Sequence, residues 1–111
     1  MAINEDYVIG RLFDARGHTG NVYYVRFVEL FTGKIYNAVT KVMAANTSWE
    51  DSATVLIEDG VNGSFPIVVP NELPAGYRYN YLVYTRAGSI AANTDDITKQ
   101  AQFDKGSDWG F

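Results

Sequence analysis

The stretch that most narrows what this chain can become runs from Ser64 to Asp96, SFPIVVPNELPAGYRYNYLVYTRAGSIAANTDD. Two apolar runs, residues 65–69 and 77–85, flank a segment punctuated by Pro70, Pro74 and Gly76. Aromatic and β-branched residues recur at every second position: Phe65, Ile67 and Val69, then Tyr77, Tyr79, Tyr81 and Val83. A period of two turns one face of each run toward a core and the other toward solvent, as in a half-buried strand. Pro70 and Pro74 fall where no ladder hydrogen bond is lost, while Pro66 marks its run as an edge strand or as one that starts there. Gly76 can take a positive φ at the turn. The stretch predicts strand, corner, strand, with Leu73 plugging the end of a hydrophobic core.

Further strands are predicted over residues 7–13, 22–30, 35–39 and 53–58, and 97–103 reads as a last edge strand or extended segment. Residues 22–30 are apolar on both faces, which predicts a central position. The tight turn Phe31-Thr32-Gly33-Lys34 makes 35–39 its hairpin partner. Residues 14–21 form a turn rich in Gly and short polar side chains. The loop at 59–63 predicts a second hairpin between 53–58 and 65–69. Lys41 to Ala45 suits either one helical turn or a continued strand, and Ser48 with Asp51 suits the cap of a short helix. The fold class expected is all-β: an antiparallel Ig-like β-sandwich of six to seven short strands with extended termini. A small barrel is the alternative. Residues 1–6 would be an N-terminal arm, 7–103 the domain and 104–111 a C-terminal tail.

The totals set limits. With 111 residues the chain is one domain with material for one core. Its net charge is −4 and its nine Lys and Arg are scattered singly, so no basic stripe is available for phosphates and no nucleic-acid partner is expected. Cysteine is absent, which removes disulfides, thiolate zinc sites and thiol nucleophiles together. No apolar run approaches membrane-spanning length. The opening residues Met-Ala-Ile-Asn-Glu-Asp lack a basic start and an apolar run, so no secretory signal and a cytoplasmic synthesis are expected.

Residues able to do chemistry are few. The single histidine, His18, lies four residues after Asp14, so a general-base pair is conceivable, beside the plainer reading of an exposed turn residue. Carboxylates cluster at Glu50-Asp51, Glu58-Asp59 and Asp95-Asp96. Such pairs serve glycoside hydrolysis when set across a cleft, and Asp59 with Asn62 could hold calcium. Neither spacing matches an established signature, and hairpin turns select Asp, Asn and Gly for backbone reasons alone. No enzyme activity, metal or cofactor is expected. Tyr77, Tyr79 and Tyr81 could form a stacking platform for sugars with Trp49 as a second wall; the favoured reading places these rings between two sheets. Trp109 and Phe111 end a polar, Gly-containing tail, where each ring left in water would expose ~150 to 250 Å². They either cover an end of their own domain or bury in a neighbouring subunit. Trp109, Phe111 and Trp49 are the expected partner-binding residues.

Several segments in order form a further pattern. Thr19-Gly20-Asn21-Val22-Tyr23 and Gly33-Lys34-Ile35-Tyr36-Asn37 precede Trp49-Glu50-Asp51-Ser52-Ala53, which leads into Val55-Leu56-Ile57-Glu58. Leu73-Pro74-Ala75-Gly76-Tyr77, Val83-Tyr84, Ala87-Gly88-Ser89, Ala91-Ala92-Asn93-Thr94-Asp95 and Asp108-Trp109-Gly110 follow. This set resembles a small β-sandwich module found among the virion proteins of tailed bacteriophages, and the likeness spans most of the chain. The resemblance implies a structural part of a phage particle. A capsid cement or decoration protein binding neighbouring coat subunits leads; a tail, baseplate or fibre-attachment component is the alternative, and a carbohydrate-binding module is a different class again. It implies other virion proteins as partners, homo-oligomer or lattice contacts, and the virion as location. No catalytic motif comes with it.

Overall fold

The computed structural model describes residues 11–18, 20–58, 63–74 and 76–105. Among these residues, eight strands and one short helix follow in order: β1 (Arg11–Arg16), β2 (Tyr23–Glu29), β3 (Ile35–Asn37), β4 (Val42–Ala44), α1 (Trp49–Ser52), β5 (Thr54–Val55), β6 (Ser64–Val68), β7 (Tyr77–Thr85) and β8 (Asp96–Lys105). All pairings are antiparallel. One sheet has the order β4-β3-β2-β7-β8, with β5 also paired to β2, and the other consists of β1 and β6. The all-β antiparallel class expected from the alternating pattern is therefore what the chain adopts. Among the described residues no helix is long and apolar enough to cross a membrane.

The ladder that joins β2 to β7 at the centre of the larger sheet runs from Tyr23↔Thr85 to Glu29↔Tyr79. Because side chains alternate across a strand, its two faces do different work. Val25, Phe27, Tyr79, Tyr81 and Val83 point to the side that meets Phe65, Ile67 and Val69, and together they form one buried cluster. Tyr79 and Phe103 stack at 5.5 Å, and Phe27 meets Phe103 and Tyr36 edge-on. The opposite face carries Tyr24, Arg26 and Tyr84, all buried. That is why residues 22–30 read as apolar on both sides: β2 is central.

The corner between β6 and β7 has the form expected of it. Gly76 has φ +89° and Leu73 is 1% exposed under the turn. The Tyr79 hydroxyl donates to the Pro74 carbonyl five residues upstream, tying the start of β7 to the corner, the arrangement seen at the tyrosine corner of Ig domains. β6 has one partner among the described residues, so Pro66 sits in a strand with a free side for a residue lacking N–H.

Other expectations need correcting. Residues 53–58 and 65–69 do not pair as a hairpin. β5 is two residues long and joins β2 through Tyr24↔Val55 and Val25↔Thr54, whereas β6 lies in the other sheet against β1. Turn residues mark where a chain reverses but not which sheet receives it. β1 reaches Arg16, inside the segment expected to be turn, because β6 supplies partners out to Ser64. β3 stops at Asn37, whose side-chain oxygen accepts from the Val39 and Thr40 amides at 2.9 and 3.0 Å. This Asx turn, with Lys41 at φ +62°, returns the chain as β4, so 42–44 is strand rather than helix. Ser48 does cap α1, accepting from the Asp51 amide. Asp104 and Lys105, expected in the tail, pair with Arg78 and Tyr77. The arm at 1–6, Tyr7 and Ile9, and the aromatics Trp109 and Phe111 lie outside the described residues.

Leu73 closes the core at the corner, so Leu73→Ala should cost about 2–5 kcal/mol. Urea denaturation should show a lower midpoint with an unchanged slope; an unchanged midpoint would mean that the corner does not seal the core.

Candidate partner-binding end

The Phe31–Lys34 turn, the 70–76 corner and the end of β8 lie together at one end of the molecule. The Leu30 amide donates to the Arg78 carbonyl at 3.0 Å, and the Gly76 amide donates to the Lys105 carbonyl at 2.6 Å. The Tyr36 hydroxyl reaches Glu72 at 2.9 Å. Lys105 folds its ammonium under the corner and donates to the carbonyls of Leu73 at 2.6 Å and Asn71 at 3.0 Å. Burial holds that ammonium below the ordinary lysine range, with Glu72 opposing. Burial likewise pushes the Tyr79 and Tyr36 hydroxyls up to about 12, Glu72 adding to the latter. A half-buried cation in contact with carbonyl oxygens satisfies groups that the corner would otherwise leave unpaired.

The hairpin tip is held by a single carboxylate. Glu29 is the last residue of β2 and is buried, on the core face of the ladder. Its carboxylate accepts from the Phe31 amide, the Thr32 amide and the Thr32 hydroxyl. Gly33 at φ +75° lets the chain turn, and its amide donates back to the Glu29 carbonyl at 2.9 Å. Burial pushes the Glu29 carboxyl up, but the bonds from Thr32 and Phe31 outweigh it and leave the group below the usual carboxylate range.

Beside the exposed Thr32 and Lys34, this turn displays a large apolar side chain. Phe31 is 89% exposed and is flanked by Leu30 and Tyr77, both more than a third exposed. Beside them an open cleft of about 130 Å³, mostly apolar, is lined by Glu29, Lys34, Met43, Pro74, Tyr77 and Tyr79. A second apolar surface, with Val55, Ile57 and Val68 exposed, lies between the chain leaving β5 and the last residues of β6. It has no comparable preordered projection.

The residues singled out in the sequence fall elsewhere. Trp49 is half-buried at the opposite end of β2. The Arg26 guanidinium lies 3.6 Å over its ring, and its indole N–H donates to the Tyr24 hydroxyl at 2.9 Å. That hydroxyl donates to Asp95 at 2.7 Å, and Asp95 accepts further bonds from the Ala87 and Ala92 amides. The Ala92 amide first, then Tyr24 and Ala87, hold the Asp95 carboxyl below its ordinary range. Burial pushes the Tyr24 hydroxyl up to about 12, with Asp95 adding to the shift and Trp49 opposing it. Arg26 is buried, bonded through Nε to the Ser52 hydroxyl at 2.7 Å. Stacking on a desolvated aromatic face is worth roughly 2 kcal/mol, which offsets part of the cost of burying the cation. Trp49 is thus a packing partner that helps fix the 86–95 loop.

The sugar platform is not formed: Tyr79 and Tyr81 are in the core, and of the three only Tyr77 reaches solvent. His18 is exposed, and its amide donates to the Tyr23 hydroxyl. Among the described residues the clustered carboxylates do not converge. Glu50 and Asp51 lie in the first turn of α1, Glu58 bonds the Gly63 amide, and Asp95 faces inward while Asp96 is exposed. Asp59 and Asn62 lie outside the described residues. The exposed Phe31 and Leu30 are not among the sequence candidates, although a phenylalanine in a tight Gly-containing turn has no reason of burial to be there.

No family model matches this chain, and neither curated proteins nor solved structures give a match.

Because the folded pKa of Glu29 is depressed, its contribution is complete above the unfolded value near 4.3 and is lost as pH falls through the folded value. The Phe31 and Thr32 amide shifts should therefore titrate with a midpoint below about 4.3, and Glu29→Gln should abolish that titration. A midpoint at the ordinary glutamate value would show that the carboxylate does not hold the tip.

Proposed function

We propose that this chain is a non-enzymatic structural module that binds another protein through the end bearing Phe31, Leu30 and Tyr77. The observation that carries the reading is Phe31, 89% exposed on a turn already ordered by a buried carboxylate. An aromatic whose backbone is already ordered loses less freedom on binding than one on a loose loop, which favours it as an interface anchor. The non-enzymatic reading draws support from the titratable groups. Of those with shifted pKa values, Tyr24, Glu29, Tyr36, Tyr79, Asp95 and Lys105 are each bonded to a loop, turn or corner, and Arg78 and Asp104 pair with each other across a ladder. Perturbed groups of that kind serve architecture as well as catalysis.

The assembly we propose is the particle of a tailed bacteriophage, the setting that the sequence resemblance implies, with the chain as a capsid cement or decoration protein on coat subunits. A tail, baseplate or fibre-attachment component uses the same docking end and is the second reading. On a lattice, individually modest contacts gain avidity by repetition.

Phe31→Ser combined with Leu30→Ser should weaken co-sedimentation with purified particles by roughly 30-fold or more, equivalent to the ~2 kcal/mol of a hot-spot residue. The melting temperature should stay within a degree or two, since both side chains are exposed. Undiminished co-sedimentation of the double variant, or absence of the chain from purified particles, would overturn the reading.

A further inference from the structure

The cleft beside Phe31 adjoins the point where the described chain ends. β8 finishes with Lys105 directly opposite Tyr77, and Tyr77 is a wall of the cleft. At about 130 Å³ and open on one side, the cleft seats part of an aromatic ring rather than enclosing it. Its apolar walls are Met43, Pro74, Tyr77 and Tyr79, and Lys34 supplies its available charge. Glu29, the other charged wall, has its carboxylate taken up by Phe31 and Thr32.

The residues after Lys105 are Gly106-Ser107-Asp108-Trp109-Gly110-Phe111. Trp109 stands four positions on, a span of up to ~14 Å when extended. Paired residues across an antiparallel ladder have Cα atoms about 5 Å apart, so Tyr77 is well within that reach and the chain has slack to turn back. Gly106 at the exit and Gly110 after the indole place no Cβ in the way of such a turn. Asp108, next to the indole, is complementary to Lys34.

We infer that Trp109 fills this cleft in its own chain, against Met43 and Tyr77 and with Asp108 toward Lys34, which leaves Phe31 as the uncovered anchor. A tether of four residues gives an effective concentration in the millimolar range, well above that of a second copy in dilute solution. Occupancy of the cleft is independent of what Phe31 binds, so either idea can fail alone.

The test is an NMR experiment on the full chain, mixing isotopically labelled and unlabelled copies. Contacts between the Met43 methyl and the Trp109 indole should appear within one copy and persist on dilution. The Met43 methyl should carry an upfield ring-current shift that Trp109→Ala removes and Phe111→Ala leaves. Contacts seen only between copies, no contact at all, or a Met43 shift indifferent to Trp109→Ala would each overturn the inference.

Discussion

Everything else in the molecule is hung on the ladder between β2 and β7. Seven residue pairs, Tyr23↔Thr85 through Glu29↔Tyr79, fix two strands in register, and each strand then offers one face to each side of the sheet. A slip of one residue would exchange those faces. With β2 slipped, Phe27 would leave the core and Arg26 would enter it. On the core side the ladder meets β6. On the other, Tyr24 and Tyr84 stack at 5.2 Å and serve as the floor for Trp49 and Arg26. Both strand ends then become platforms: one for the 86–95 loop through Tyr24 and Asp95, the other for the hairpin tip through Glu29.

Polar groups in this fold act mainly as clamps on backbone. Asp95 holds a loop, Glu29 a turn, Asn37 another turn, and Lys105 a corner. In each case a side chain anchored in or beside the sheet satisfies amides or carbonyls that have no ladder partner. The consequence at the corner end is a surface whose shape is set before anything binds. The proposed docking role rests on an exposed aromatic set on an ordered turn, since a scattered apolar residue would be unremarkable by itself.

How much of this could be read from the chain differs by element. The alternation through Phe65–Val69 and Tyr77–Val83, the corner glycine and the buried Leu73 were legible because their signals are local and agree with one another. β2 declared its central place through apolar residues on both faces. The partner of residues 53–58 was not legible. A strand of two residues carries almost no pattern, and crossing between sheets depends on β1 rather than on any nearby turn. Trp49 misled for a different reason: a tryptophan in a polar segment signals either a surface or a stacking partner, and the buried Arg26 that decides between them is 23 positions away along the chain and adjacent only after folding. Glu29, likewise, looks like an ordinary charged strand end until its oxygens are seen on the turn amides.

Native-state hydrogen exchange resolved by residue would test the central claim most directly. If the β2–β7 ladder is the framework, the amides of Tyr23–Glu29 and Tyr77–Thr85 should exchange slowest, opening only with global unfolding. The Phe31 and Thr32 amides should be protected well above an ordinary exposed turn. Slowest exchange in β1 and β6, with β2 and β7 opening early, would contradict the account.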